Sequence, residues 1–99
     1  MYDIIIIGGG PAGLTSALYG LRAGKSVLII ERSAFGGQMT FSPKIENYPG
    51  IASSSGSEIA DAMVEQVLAQ GADTEFDTVV GVAKNEDGVF VVTGEVGSY

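Results

Sequence analysis

The sequence predicts an α/β fold: three layers around a parallel sheet, with a small antiparallel β-meander. Three observations predict it. An apolar, β-branched run at the N-terminus breaks into glycines and is followed by a helical pattern and a second apolar run, all within about thirty residues, the size of a βαβ unit. A second helical pattern follows a long irregular stretch. Beyond it the periodicity gives way to short extended runs separated by turn residues.

The elements follow in order. Tyr2 to Ile7 reads as a strand buried on both faces, as in a parallel sheet. Gly8-Gly9-Gly10-Pro11-Ala12-Gly13 leads into a helix over Leu14 to Arg22, with Pro11 in its first turn and Gly24 at its exit. Ala17, Leu18 and Leu21 form its apolar stripe. Ser26 to Ile30 is the second strand, closed by Glu31. Residues 33–57, rich in Gly, Ser and Pro, read as a loop long enough to be searched for function. Ser55 and Glu58 form a capping-box pattern ahead of a helix from Glu58 to Gln70. That helix lines up Ile59, Met63 and Val67 with Ala60, Val64 and Leu68 beside them, and Gly71 ends it. Thr78 to Ala83 and Val89 to Thr93 are short strands joined by the hairpin residues Asn85-Glu86-Asp87-Gly88. Gly94 and Gly97 mark a further turn, and Ser98-Tyr99 begins a third strand of the meander, which is expected to have an open edge.

Composition excludes several functions. With no Cys and no His, the chain holds no disulfide, no thiol nucleophile, no Ser-His-Asp triad and no zinc site of the usual ligands. A net charge of −7 argues against nucleic acid and anionic membranes as partners. The run Ile4 to Ile7 is too short to span a bilayer, and a cytoplasmic location is expected. The charge is unevenly placed. Residues 1–57 carry three acids (Asp3, Glu31, Glu46) and four bases (Arg22, Lys25, Arg32, Lys44), whereas residues 58–99 carry nine acids and Lys84 alone. An anionic small molecule therefore belongs with the first half.

The chemistry-bearing motif lies there. Gly8, Gly10 and Gly13 fit G-x-G-x-x-G after a strand and opening a helix. The first glycine permits the tight turn, the second lets backbone approach a pyrophosphate, and the third lets helix pack on strand. Pro11 and Ala12 complete the helix N-terminus, whose unpaired N–H groups and dipole suit phosphates. Glu31, at the end of the second strand, can accept hydrogen bonds from the hydroxyls of an adenosine ribose. A carboxylate there argues against a 2′-phosphate, although Arg32 beside it keeps that question open. This is a Rossmann-like FAD/NAD(P)-binding pattern, and by itself it does not decide between NAD and FAD.

The words and spacing of Asp3-Ile-Ile-Ile-Ile-Gly-Gly-Gly-Pro-Ala-Gly13, Gly36-Gly37-Gln38 and Ile45-Glu46-Asn47-Tyr48-Pro49-Gly50 resemble the FAD domain of low-molecular-weight thioredoxin reductases, pyridine nucleotide-disulfide oxidoreductases. The resemblance covers essentially the whole chain. It implies FAD as cofactor, with Gly36-Gly37 bringing backbone N–H groups to the cofactor and Gln38 against the same part of it. It also implies Asn47 near the isoalloxazine edge, Ser42 in place of a commoner Thr, and the Val79 backbone at the adenine. Pro43 departs from the commoner polar residue.

The same resemblance implies a role for the parent protein: reduction of thioredoxin or a similar disulfide, with electrons passing through FAD from NADPH or another donor. In that family the Cys-x-x-Cys pair lies in a second, NADPH-binding domain. Residues 1–99 would then be the N-terminal portion of a single FAD-binding domain. The NADPH domain and the closing C-terminal segment would lie outside it. The chain alone is expected to have no reductase activity and to self-associate through exposed sheet surface, with a homodimer left open. A different class also stands: a regulatory module that binds NAD or ADP without redox activity, in which Gly36-Gly37-Gln38 and Asn47 have no purpose.

Overall fold

A computed structural model describes residues 1–99. The strands are β1 (Ile4–Ile7), β2 (Val27–Glu31), β3 (Asp73–Phe76), β4 (Val79–Lys84) and β5 (Phe90–Gly94), and the helices are α1 (Pro11–Arg22) and α2 (Gly56–Ala69). A short 3-10 helix runs from Gly37 to Phe41. β1, β2 and β3 form a parallel sheet with β2 in the centre, Ile4 opposite Val27 and Leu28 opposite Asp73. β4 and β5 form a separate antiparallel pair.

The period-two alternation of β2 builds the three layers. Val27 and Ile29 point to the helices and pack with Leu14 and Ala17 of α1 and Val67 of α2. Leu28 and Ile30 point the other way, against Val92 of β5 with Tyr2, Ile5, Val79 and Tyr99. All four aliphatic side chains of β2 are at most 1% exposed. Burying each stabilises the fold by about 1.5–3 kcal/mol, so this strand anchors both cores.

α1 ends at Arg22 as expected, while α2 runs from Gly56 to Ala69 and so starts before and stops short of the expected Glu58 to Gln70. Ser55 caps α2, its hydroxyl accepting from the Glu58 N–H at 3.2 Å. The Glu58 carboxylate in turn accepts from the Ser54 and Ser55 hydroxyls. Asn85 shapes the β4–β5 turn, its side-chain oxygen accepting from the Asp87 and Val89 N–H groups, both at 3.0 Å.

The structure corrects four expectations. The fully buried strand is β2, whereas β1 packs on both faces only in part, with Ile4 and Ile6 on the helix side, Ile5 on the meander side and Ile7 54% exposed. The segment after α2 supplies β3, a parallel partner of β2 and not part of the meander; its Asp73 and Glu75 hide it from a hydrophobicity reading. The stretch 33–57 is not irregular throughout, because it contains the 3-10 helix and a short hairpin held by Ile45–Ser54 and Tyr48–Ile51 bridges. In the helices, Leu14, Ala17 and Gly20 are the buried residues of α1, and Leu68 of α2 is exposed. The third meander strand begins as expected, with Tyr99 and Val92 exchanging backbone hydrogen bonds at 2.8 and 2.9 Å.

Candidate functional site

The turn between β1 and α1 is shaped by its glycines. Gly8 has φ +104°, a conformation that strains any residue with a Cβ. Its N–H donates to the Ile30 carbonyl at 2.8 Å, tying the turn to β2. A Cβ on Gly13 would run into the Gly8 carbonyl and lie 3.2 Å from Ile6 Cγ2, so only glycine lets α1 sit this close. At Gly10 a Cβ would meet nothing within 4 Å. Gly10 is the N-cap of α1 and makes no side-chain cap. The N–H groups of Gly10, Ala12 and Gly13 donate to no acceptor in the chain. Pro11 and Ala12 are exposed there, leaving a helix N-terminus with free donors and open space before it.

Glu31 faces this turn. Its Oε1 accepts from the Gly9 N–H at 3.0 Å, and its Oε2 from the Ser33 N–H at 2.6 Å and the Ser33 hydroxyl at 3.4 Å. Only 8% of the residue is exposed. Burial pushes its carboxyl upward, but N–H groups of Ser33, Gly9 and Arg32 and the Ser33 hydroxyl together outweigh it, so the group titrates below the ordinary 4.5. Gly8, Glu31, Arg32, Asp77 and Val79 line one pocket of about 280 Å³. Arg32 is exposed and is the one base that lines this pocket.

The second glycine pair joins the first. Gly36 donates its N–H to the Gly9 carbonyl at 2.7 Å and has φ +105°; a Cβ there would lie 2.5 Å from that of Ala60. A Cβ on Gly37 would lie 3.3 Å from Gly10 Cα. The Gly36-Gly37 backbone thus packs directly on the Gly9-Gly10 backbone. Of the expected residues, Gly10, Pro11, Ala12, Gly13, Gly36, Gly37, Gln38, Ser42 and Asn47 do not line that pocket. Gln38 is exposed on the 3-10 helix, and Asn47 is exposed on the 45–54 hairpin. The Ser42 hydroxyl donates to the Lys44 carbonyl at 3.2 Å, while its own carbonyl accepts from the Gly56 N–H at 2.8 Å.

Two residues of the site escape sequence reasoning. The first is Gly9, whose N–H holds Glu31 and whose missing Cβ makes room for the Phe35 ring. The second is Asp77, 6% exposed, which accepts from the N–H groups of Thr78, Val96 and Gly97 and from the Tyr99 hydroxyl. Burial raises its carboxyl and these donors lower it further, leaving it below the ordinary 3.8. A Cβ on Gly94 would strike this carboxylate, which is the one signal a sequence could have offered. A larger cavity of about 710 Å³ between β1 and the meander has a mostly hydrophobic lining and holds none of the expected site residues. No cluster of acids in the chain could hold a metal ion, and no helix is long and apolar enough to cross a membrane.

The arrangement sets free backbone N–H groups and a charged carboxylate side by side, a donor set that suits an anionic, hydroxyl-bearing ligand. The chain is 43% identical over 99 residues to a thioredoxin reductase of Treponema pallidum and 42% identical over 94 residues to one of Bacillus subtilis. These matches cover 99% and 95% of the chain but only 32% and 30% of the relatives, so it spans about a third of their length. The solved thioredoxin reductase of Streptococcus pyogenes superposes with a TM-score of 0.94 at 43% identity, over all of the chain and 32% of that protein. That of Lactococcus lactis superposes with a TM-score of 0.93 at 35% identity, again over 32% of its chain. The expected α/β, Rossmann-like fold is therefore that of the matching third of these enzymes. Residues 3–93 match the family model described as FAD dependent oxidoreductase, and with the glycine turn, the buried acid and the fold in agreement, the chain belongs to that family.

Proposed function

We propose that the chain forms the ADP side of an FAD site in a thioredoxin reductase-like flavoenzyme. The observation that carries this is the aim of Glu31: a buried carboxylate at the mouth of a pocket, bonded to the same turn whose N–H groups remain free. In this reading Gly8, Gly10, Pro11, Ala12 and Gly13 receive the diphosphate. Glu31 takes the ribose hydroxyls, Arg32 flanks them, and the Val79 backbone meets the adenine. Gly36 and Gly37 let main chain run beside the cofactor, and Gln38, Ser42 and Asn47 lie towards its flavin end. The groups present fit such a ligand, since backbone donors face open space at Gly10 and a carboxylate stands where hydroxyls need an acceptor.

FAD, when bound, supplies the redox chemistry. This chain's share is to hold the nucleotide, keep the Glu31 carboxylate charged and exclude a 2′-phosphate. Residues 1–99 are then the N-terminal portion of one FAD-binding domain in a cytoplasmic enzyme. Thioredoxin or a similar disulfide, and NADPH or another donor, would meet residues outside this chain. The packing of Gly36-Gly37 on Gly9-Gly10 gives the second motif a purpose that an NAD-sensing module would lack.

Titration of the purified chain with FAD, ADP and NAD tests the reading. FAD and ADP should bind, with yellow flavin absorbance retained on desalting, and dithiol turnover should be absent. A preference for NAD over FAD, or disulfide reduction by the chain with added FAD, would overturn it.

A further inference from the structure

Phe35 immediately precedes the Gly36-Gly37 pair, and no motif singles it out. Its ring fills the space beside Gly9: a Cβ on Gly9 would lie 2.5 Å from Phe35 Cδ1 and 2.8 Å from Cε1. On its other side the ring meets Phe76 edge-to-face, with centroids 5.2 Å apart and planes at 72°. Phe76 closes β3 directly opposite Glu31, and the next residue, Asp77, donates its N–H to the Glu31 carbonyl at 3.1 Å. Phe35 also packs on the helix-side core, so it is fixed from three directions.

Gly9 is the peptide through which everything at the mouth is connected. Its N–H reaches Glu31, its carbonyl takes the Gly36 N–H, and its neighbours Gly8 and Gly10 shape the turn. Two hydrogen bonds to a glycine leave that residue much torsional freedom; a ring wedged against it removes the room to use it. We propose that Phe35 is a positioning residue for the nucleotide site: braced by Phe76, it locks the Gly9 peptide so that the free N–H groups and the Glu31 carboxylate are aligned before a nucleotide arrives. The inference rests on the reading of the pocket as an ADP site. Its energetic content is preorganisation, since a turn already ordered loses less freedom on binding.

The test combines ADP titration calorimetry with amide hydrogen exchange on the 99-residue chain. Phe35→Ala should weaken ADP binding about tenfold and speed exchange at the Gly9 and Gly36 amides, while the Ile29 amide of β2 is unmoved. Phe35→Tyr, which keeps the ring, should restore both. If Phe35→Ala does not fold, Phe76→Leu carries the test, because Phe76 is 62% exposed and its loss leaves the cores intact. The expectation there is a smaller loss of affinity with the same selective acceleration at Gly9. The proposal is overturned if these variants bind ADP as the parent does, or if Gly9 exchange accelerates only in step with Ile29. Should the unsubstituted chain fail to bind ADP, the nucleotide reading falls and this inference with it.

Discussion

Glu31 and Asp77 line the same pocket, are buried to nearly the same degree and are both held by loop N–H groups, yet they do different work. Asp77 is saturated: Oδ1 accepts from Thr78 and Val96 at 2.8 and 3.1 Å, and Oδ2 accepts from Gly97 and the Tyr99 hydroxyl at 3.0 and 2.9 Å. Each carboxylate oxygen accepts about two hydrogen bonds. Glu31 Oε1 has one donor, Gly9, so it keeps capacity for one more hydrogen bond. The lesson is that a buried acid with a lowered pKa does not by itself mark a site. Spare acceptor capacity facing an open wall does.

The comparison breaks most visibly at Asp77. Asp77→Ala strands three N–H groups and a phenol, and the turn from Glu95 to Tyr99 should come loose from β3. We expect thermal melting to fall by about 10 °C and the amide signals of residues 95–99 to lose dispersion, with little change in ADP affinity of the molecules still folded. Glu31→Ala should do the reverse. One charge-assisted hydrogen bond at about 1.5–3 kcal/mol predicts at least about a tenfold loss of ADP affinity by calorimetry, with a smaller loss of melting temperature. Equal effects of the two substitutions on binding would erase the distinction.

A milder substitution sharpens it. Because a Cβ at Gly10 enters open space, Gly10→Ala should melt within about 2 °C of the parent. The same methyl projects where a diphosphate would lie, and ADP should bind about tenfold more weakly. Stability and binding would then separate at a residue beside the Glu31 site, as they do between the two acids.

The pH dependence is the smallest effect and has a defined sign. Both carboxyls titrate below their ordinary 4.5 and 3.8, so the unfolded chain takes up protons first on acidification. Their stabilisation is complete above those values and is lost as pH falls through the lower folded ones. Melting temperature should therefore hold steady from neutral pH to about pH 5 and decline below 4.5, and Asp77→Asn should flatten the lower part of the decline. On the alkaline side the hydrogen bond to Asp77 pushes the Tyr99 hydroxyl above its ordinary 10.0, so that contact persists until pH exceeds this value.

Much of this was legible in the chain and some was not, for physical reasons. The βαβ unit, the work of Gly8 and Gly13, the cap at Ser55 and the position of Glu31 are local or depend on a repeating spacing, which a linear sequence displays. β3 was not legible because Asp73-Thr74-Glu75-Phe76 is exposed at every residue and owes its strand to pairing with β2. The 3-10 helix is shorter than any period needs to declare itself. Asp77 becomes a hub only when residues about twenty positions later fold back onto it. Gly9 carries no signal between two motif glycines, because the Phe35 ring it makes room for is brought beside it only by the fold. Gln38 and Asn47 were legible only by resemblance, and both stand exposed away from the pocket.

β1 has a further consequence. Four isoleucines in succession carry a ladder satisfied on the β2 side alone, so the opposite rim offers backbone donors and acceptors beside apolar side chains. Such a rim is a template for cross-β stacking of one molecule on another. The opposing force is coulombic, since every molecule carries a charge of −7. For the chain taken by itself, salt concentration, by shortening the reach of that repulsion, would govern how long it stays dispersed.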